Sequence, residues 1–142
     1  MNEFNGYTIS QLSVGMSASF RKTVTEADII LFSAVSGDIN PAHLDEEYAK
    51  TTMFGGRIAH GILSAGLISA ALANKLPGPG SIYLGQTLTF RAPVRAGDTV
   101  KATVTVKSVL PGKRRVVLET VCTVGETVVI TGEATMLALA DQ

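Results

Sequence analysis

The sequence predicts an α+β domain in which an antiparallel sheet encloses one apolar helix. Two kinds of periodicity indicate this, and a turn-forming run at Pro77 to Gly80 separates them. Before the run the apolar residues follow a helical repeat, and after it they alternate with polar residues as in strands. Several long strands after one enclosed helix favour a curved sheet wrapped around that helix. Because 142 residues can bury one core of this kind, we expect a single domain over residues 1–142.

The first helix is predicted from its ends and from its apolar residues. Thr25 with Asp28 resembles a capping box that begins a helix, and Gly37 ends it. Residues 38–44 have the composition of a turn, and the acidic residues 45–47 then begin a second, short helix. Apolar side chains on one face support the helical period of the first helix: Ala27, Ile30, Leu31, Ala34 and Val35.

The central helix is expected at residues 61–75, which are apolar almost all round. This pattern fits a helix only if neighbouring structure surrounds it. The longest mostly apolar stretch, residues 58–73, is too short to span a bilayer comfortably and includes His60 and two serines. We therefore interpret it as a buried helix and expect no membrane association.

The strands are predicted from a period of two. Residues 99–107 alternate valine or alanine with threonine or lysine, as in a strand with one wet face. A short polar strand is expected at residues 17–24. Further strands are expected at residues 81–91, 115–123 and 127–139, and a tight turn at Gly125 and Glu126 joins the last two.

Charge and cysteine content exclude several classes of partner. Twelve basic residues balance twelve acidic ones, so no net field would attract nucleic acid or an anionic membrane. The N-terminal residues are polar and include Glu3, unlike a secretory signal. The single cysteine, Cys122, lies in an apolar strand-like run with no disulfide partner, which suits a reducing compartment. We expect a cytoplasmic protein with a buried, inert thiol.

The turn at residues 38–44 is the segment where we expect chemistry. Asp38 and His43 are five residues apart, and a turn can aim both side chains into one cleft. Addition of water to an electron-poor carbon needs one group that accepts a proton and one that delivers a proton. Gly37 and Pro41 would fix the backbone while Asn40 supplies local hydrogen bonds. Spacing alone favours a plain turn in which Asp38 satisfies amides, Asn40 and Pro41 form the turn and His43 is an ordinary half-buried histidine.

The run from Phe32 to Asp45 resembles the hydratase 2 motif of the MaoC-like family, the R-specific enoyl-CoA hydratases and dehydratases of the hot-dog superfamily. The match includes the aromatic residue, the Gly-Asp-x-Asn-Pro core at 37–41 and the His-x-Asp at 43–45. Residues 58–61, 80–86 and 97–98 resemble later segments of the family, in the same order. Ala42 departs from the branched aliphatic residue usual in the family, which puts rate or substrate preference in doubt more than reaction type.

The resemblance implies a hot-dog fold and reversible hydration of a trans-2-enoyl-CoA to an (R)-3-hydroxyacyl-CoA. It implies that Asp38 and His43 form the catalytic dyad and that the Gly61 N–H stabilises the thioester enolate. The start of the apolar helix suits the latter role, because unpaired amides and the positive dipole end favour negative charge. Gly61 also has a structural interpretation, since glycine lets the helix begin beneath crowded strands. Sequence does not assign base and acid within a coupled pair.

The expected substrate-binding residues are Asn40, His60, Ser69, Leu72 and Arg91. His60 is expected to be structural or to line the pocket, because the dyad already accounts for both proton transfers. By resemblance, Ser69 and Leu72 border the acyl tunnel, although core packing is the default interpretation of both residues. Arg91, like Arg57 and Arg95, could meet the phosphates of coenzyme A, and each also fits a solvated surface charge.

No metal or separate cofactor is expected, and coenzyme A enters only as part of the substrate. The motif supplies too few ligands at useful spacing for a metal, and no glycine-rich phosphate loop is present. A single hot-dog would leave a sheet edge open, so we expect a homodimer. Three alternatives stay open: a 3-hydroxyacyl-ACP dehydratase, a hot-dog acyl-CoA thioesterase and a non-catalytic acyl-CoA-binding protein. The acyl-chain preference and the pathway are not readable from sequence.

Overall fold

A computed structural model describes residues 2–142, and these form four α-helices and one six-stranded sheet. The helices are α1 (Glu26–Ser36), α2 (Pro41–Leu44), α3 (Glu46–Ala49) and α4 (Gly61–Asn74). The strands are β1 (Ser17–Thr23), β2 (Ile82–Gln86), β3 (Thr89–Phe90), β4 (Thr99–Leu110), β5 (Arg115–Val124) and β6 (Thr127–Leu137).

The sheet is antiparallel throughout, in the order β1-β4-β5-β6-β2, with β3 also pairing with β6. Helix α4 packs against β1, β4 and β5, so the sheet wraps around it. The predicted α+β class is therefore confirmed. Strand β2 ends the order, which leaves its outer side free of a strand partner within residues 2–142.

The core lies between α4 and the inner face of the sheet. Along β4, every second side chain from Val100 to Val106 is buried, and the intervening threonines and lysine are not. This alternation confirms the period-two prediction for that strand. Fully or almost fully buried side chains from the two layers meet there: Ile68, Leu72, Val104, Leu118 and Ile130.

Two sequence predictions differ from the structure. The strand expected at residues 81–91 is two strands, because the strand pairing is interrupted at Thr87, between β2 and β3. The Thr87 amide donates to the Glu133 carbonyl instead. Gly132 allows this approach, since a Cβ there would overlap the Thr87 carbonyl oxygen. The turn expected at residues 38–44 contains α2, a four-residue helix too short for a periodic signal.

The apolar faces of two helices are open in a single chain. Helix α1 buries Ile29 and Ser33 and exposes Ile30, Leu31 and Val35, which belong to its predicted apolar face. Helix α4 is not surrounded all round either, because Ile62 near its start is 49% exposed. Both helices are apolar on more than one face, so periodicity alone did not identify the buried side.

Cys122 lies on the buried face of β5. The Cys122 thiol is buried, as predicted, and burial raises the pKa of this thiol to about 12. Its nearest polar neighbour is the Ser64 carbonyl oxygen, 3.7 Å from Sγ. No helix within residues 2–142 combines the length and the apolar character needed to cross a membrane.

Candidate active site

Helix α1 positions Asp38 through well-defined ends. The Thr25 hydroxyl accepts from the Asp28 amide and the Asp28 carboxylate accepts from the Thr25 amide, as the capping box predicts. At the other end Gly37 has φ +80°, a left-handed conformation that favours glycine, and its amide donates to the Ser33 carbonyl. The chain therefore leaves α1 in a fixed direction at Asp38.

Asn40 connects Asp38 to α2. Its backbone amide donates to Asp38 Oδ1 at 3.3 Å, and its side-chain oxygen accepts from the Ala42 amide at 2.9 Å. The second bond caps α2, and Pro41 occupies the first helical position, where a missing N–H costs nothing. These contacts confirm that Asn40 supplies local hydrogen bonds, and they fix the carboxylate relative to the helix that contains His43.

The tautomer of His43 follows from its hydrogen bond. His43 Nδ1 lies 2.8 Å from the Ile58 carbonyl oxygen. A carbonyl only accepts, so Nδ1 bears the proton and donates, which leaves Nε2 of the neutral ring as an acceptor. The Ile58 amide in turn donates to the Ala42 carbonyl, so two hydrogen bonds connect helix α2 to the segment before α4.

His60 is buried beneath this pair, with 2% of its surface exposed. Its Nε2 lies 2.9 Å from the Asp38 carbonyl oxygen and 3.1 Å from Ser33 Oγ. Its ring stacks on the His43 ring, with centroids 3.8 Å apart and 30° between the planes. The Phe32 ring lies against it in a tilted arrangement at 4.8 Å. His60 Nδ1 is buried without a hydrogen-bond partner among the described residues.

Asp38, His43 and His60 form a compact cluster whose side-chain donor atoms lie within 4.8 Å of one another. The motif was expected to supply too few ligands for a metal, but His60 from a distant segment adds a third possible ligand to Asp38 and His43. His43 Nδ1 and His60 Nε2, however, are each engaged by a backbone carbonyl. The other ring nitrogens, His43 Nε2 and His60 Nδ1, are thereby left as acceptors. The absence of a metal stays a prediction.

Gly61 is the first residue of α4, where an amide has no partner inside the helix. The ring of Phe90 packs so closely on Gly61 that a Cβ there would lie 2.7 Å from Cδ1 and Cε1. The structural interpretation of Gly61 is thus supported, with the ring of Phe90 as the crowding group. The amide also lies at the positive end of a 14-residue helix, an environment that favours negative charge.

These groups lie around one cavity of about 580 Å³, within the usual size range of small-molecule sites. Asp38, His43 and Gly61 are on its wall, together with His60. The rest of the lining is mostly apolar: Met53, Phe54, Ile58, Ala59, Ile62, Ser64, Phe90, Arg91, Ala92, Pro93, Val94, Val129 and Ile130. The cavity can therefore hold an apolar chain beside an acid and an imidazole.

Of the five predicted substrate-binding residues, two line the cavity and three do not. Arg91 lines the cavity, where its Nε donates to Thr131 Oγ1 at 2.9 Å, and His60 lies in its wall. Asn40, Ser69 and Leu72 do not line this cavity in the single chain, and Leu72 is part of the core. The substrate roles of these five residues stay predictions.

The other two arginines have structural partners. Arg57 pairs with Glu26 at 2.9 Å and with Glu46 at 3.2 Å, and hydrogen bonds to these carboxylates raise the pKa of its guanidinium. This ion-pair group ties α1 and α3 to the segment before α4. Arg95 donates to the Phe54 and Arg57 carbonyls. Arg91, in contrast, forms no ion pair within residues 2–142.

Sequence reasoning missed three residues around the site. Ser33 contacts His60 across 27 positions, Phe90 packs on Gly61, and Phe54 lines the cavity. Phe32 and Ser33 lie within the predicted first helix, but the sequence does not indicate which distant residue they would meet. Contacts between segments this far apart leave no local pattern.

The fold and the cavity together define a hot-dog domain with an acid and an imidazole at its apolar pocket. Similar solved structures share this architecture. The unliganded R-hydratase PhaJ1 from Pseudomonas aeruginosa has a TM-score of 0.88 and 49% identity, covering 94% of this chain and 86% of that one. The (R)-hydratase from Aeromonas caviae involved in PHA biosynthesis has a TM-score of 0.86 and 44% identity, covering 89% and 97%. The predicted hot-dog fold is therefore confirmed.

Residues 10–130 match the model of the MaoC like domain, and the chain belongs to that family. An (R)-specific enoyl-CoA hydratase of Rhodospirillum rubrum is 59% identical over 126 residues, covering 89% of this chain and 88% of the relative. A 3-hydroxybutyryl-CoA dehydratase of Methylorubrum extorquens is 50% identical, covering 87% and 78%. These names confirm the predicted enzyme class, a hydro-lyase.

Proposed function

We propose that this protein adds water reversibly across the double bond of a trans-2-enoyl-CoA and forms an (R)-3-hydroxyacyl-CoA. The observation that supports this most is the shared cavity, in which Asp38 and His43 stand beside the free helix N-terminus at Gly61. The R configuration and the coenzyme A carrier are taken from the names of the relatives. The chemistry needs only proton transfer and hydrogen bonding, so no separate cofactor is proposed.

Asp38 and His43 would act as one proton-transfer pair. The oxygen of water bonds to C3 while one water proton passes to the dyad, and the dyad delivers a proton to C2. The carbon–carbon double bond becomes a single bond, and no other atom enters or leaves. His43 Nε2 and the Asp38 carboxylate are both suitable, because Nδ1 is engaged by Ile58 and the carboxylate is oriented by Asn40. We assign the two transfers to the pair as a unit.

The Gly61 amide would stabilise the negative charge that builds on the thioester oxygen during addition. A donor fixed before the reaction lowers the barrier because it needs no reorganisation as charge develops. The first amide of α4 meets this condition, since the helix holds it in place without using it. The thioester would then lie across the start of α4 with C3 toward the dyad.

The apolar wall would hold the acyl chain and Arg91 a phosphate of coenzyme A. Ala92, Val94 and Ile130 provide surface without a polar group that would need a partner. Arg91 is 38 positions from Val129 in sequence, but the Arg91 amide donates to the Val129 carbonyl, so its backbone is fixed in the sheet. The depth available to a longer chain would depend on Ser69 and Leu72, which lie farther along α4.

The active assembly would be a homodimer paired along β2. Ile82, Tyr83 and Leu84 leave a large apolar fraction exposed on this edge strand, and Leu84 is 45% exposed. Exposed apolar edges of this kind favour pairing with another strand. Ile62 lies in the groove beside Tyr83 and Leu84 and also in the wall of the cavity. A second copy would therefore cover apolar surface that is continuous with the site.

The test is turnover of trans-2-butenoyl-CoA by purified protein with identification of the product, and a parallel reaction contains the acyl-carrier-protein thioester. Loss of the conjugated enoyl absorbance with formation of the (R)-3-hydroxy thioester, identified with a stereospecific dehydrogenase, is the expected result. Release of free coenzyme A thiol without hydration would replace the proposal with a thioesterase. Activity only on the acyl-carrier-protein thioester would indicate a carrier-protein dehydratase, and binding without turnover would indicate an acyl-CoA-binding protein.

A further inference from the structure

We propose that His60 is a positioning residue that holds Asp38 and His43 in the relative geometry their proton transfers require. The inference rests on the proposed hydration, but it assigns to His60 a role different from substrate contact. Its side chain touches both members of the dyad. It donates toward the Asp38 carbonyl and stacks on the His43 ring.

The environment of His60 makes it a fixed support. The residue is 2% exposed, and Phe32 and Ser33 of α1 pack against it from the side of the helix that buries Ser33. One ring thus contacts α1 and α2, the loop between them, and the start of α4. A side chain that is contacted on several sides has little freedom to move, so it restricts the positions of the groups it touches.

The hydrogen bonds of the two histidines require opposite tautomers. His43 Nδ1 faces the Ile58 carbonyl, whereas His60 Nε2 faces the Asp38 carbonyl, and neither acceptor can donate. His60 therefore bears its proton on Nε2 and shares it between the Asp38 carbonyl and Ser33 Oγ. With Nε2 engaged and Nδ1 buried, His60 acts through the backbone of Asp38 and the ring of His43.

Three substitutions separate the hydrogen bond, the ring and simple packing. His60→Gln can place an N–H near the position of Nε2 but removes the ring. His60→Phe keeps a stacking ring and removes the N–H. His60→Asn places its amide near the position of Nδ1, where no partner exists among the described residues, and serves as the matched polar control.

We expect His60→Phe and His60→Asn to lower kcat about 10- to 100-fold with KM within about twofold, because misplacement of about 1 Å costs on this order. His60→Gln is expected to recover part of the kcat lost in His60→Asn, because it restores the N–H near Nε2 but not the ring that stacks on His43. A rise in KM at unchanged kcat would overturn the proposal in favour of substrate binding. Equal losses in all three variants, in proportion to lowered melting temperatures, would overturn it in favour of packing alone.

A measurement without activity keeps the inference separate from the proposed function. The chain has two histidines, so long-range proton–nitrogen NMR spectra of the untagged protein contain two imidazole patterns. We expect one ring protonated at Nδ1 and one at Nε2, and we expect the Nε2–H pattern to disappear in His60→Gln. Two rings of the same tautomer would overturn the inference. If the wild type fails to hydrate enoyl-CoA while the tautomers are opposite, the proposed function fails and the geometry stands.

Discussion

The ring of Phe90 lies against Gly61 at a distance that no side chain at residue 61 could share. A Cβ on Gly61 would be 2.7 Å from two carbons of the ring, closer than real Cβ atoms approach their neighbours. The two residues come from α4 and β3, and both line the cavity. Any larger residue at the first position of α4 must therefore displace the ring of Phe90.

We expect Gly61→Ala to lower kcat/KM about 10- to 100-fold, because the methyl group displaces Phe90 across the site. The amide itself is kept, and alanine favours the helix, so the melting temperature should change little. In a Phe90→Ala background the same substitution should cost less than about threefold. Steady-state kinetics on trans-2-butenoyl-CoA measure kcat/KM for the wild type, the two single variants and the double variant.

Gly112→Ala is the matched control for this comparison of single and double variants, because a Cβ at Gly112 would meet no atom within 4 Å. It should leave kcat/KM unchanged. Additive losses for Gly61→Ala and Phe90→Ala would contradict the steric coupling between these two residues.

The edge strand β2 predicts a dimer of the 14.9-kDa chain. Leu84→Lys should shift the protein toward the monomer in sedimentation equilibrium, since a charge on an apolar paired edge opposes association. Val14→Lys is the control, because Val14 is also exposed but precedes β1 at the other edge of the sheet. A wild type that is monomeric at micromolar concentration, or a Leu84→Lys variant as dimeric as Val14→Lys, would contradict this assembly.

Cys122 should be unreactive in the native protein. Burial raises the pKa of its thiol to about 12, so almost no thiolate exists at pH 8 and no reagent reaches it without opening of the fold. A chromogenic disulfide should label it only in denaturant. A cysteine introduced by Thr127→Cys, at an exposed hairpin position, should react within the mixing time. Rapid labelling of two thiols in that variant would contradict the burial.

Asp28 should contribute stability that is lost in acid. The Lys22 ammonium and the Thr25 amide hold the pKa of Asp28 below its usual 3.8. The ionised carboxylate therefore stabilises the fold above pH 3.8, and this contribution disappears as the pH falls through the folded-state pKa. Asp28→Asn should reduce the free energy of unfolding by about 1 kcal/mol at pH 7 and weaken the decline below pH 3.8.

Urea unfolding followed over pH 2–7 measures this effect. Glu126→Gln, in the exposed turn before β6, removes a carboxylate outside the capping box and should match the wild type. Identical pH profiles for Asp28→Asn and the wild type would show that the capping box adds nothing.

The parts of the fold that depend on local chemistry were predictable from sequence. The capping box at Thr25 and the left-handed Gly37 are set by residues within one or two turns, and so is the alternation along β4. Helix α2 was not predictable, because four residues give no period. The break after β2 was also missed, because it depends on the approach of Thr87 to Gly132, 45 positions away.

The proximity of Asp38 and His43 was predictable from sequence, whereas the contacts that support these two residues were not. Asp38 and His43 are close in sequence, and one turn brings them together. Ser33 and His60 meet only after α1 and α4 have packed, and the same holds for Gly61 and Phe90. The buried sides of α1 and α4 were ambiguous for a related reason, since both helices have apolar residues on faces that a second copy or solvent meets.

The most direct test of the account is the effect of Asp38→Asn on hydration of trans-2-butenoyl-CoA, compared with Asp141→Asn. The second variant makes the same change at an exposed position outside the cavity. If Asp38 takes part in the proton transfers, kcat/KM falls about 10³-fold in Asp38→Asn, with an unchanged melting temperature, and stays within about twofold of the wild type in Asp141→Asn. An Asp38→Asn enzyme that keeps more than about a tenth of the wild-type rate would contradict the dyad.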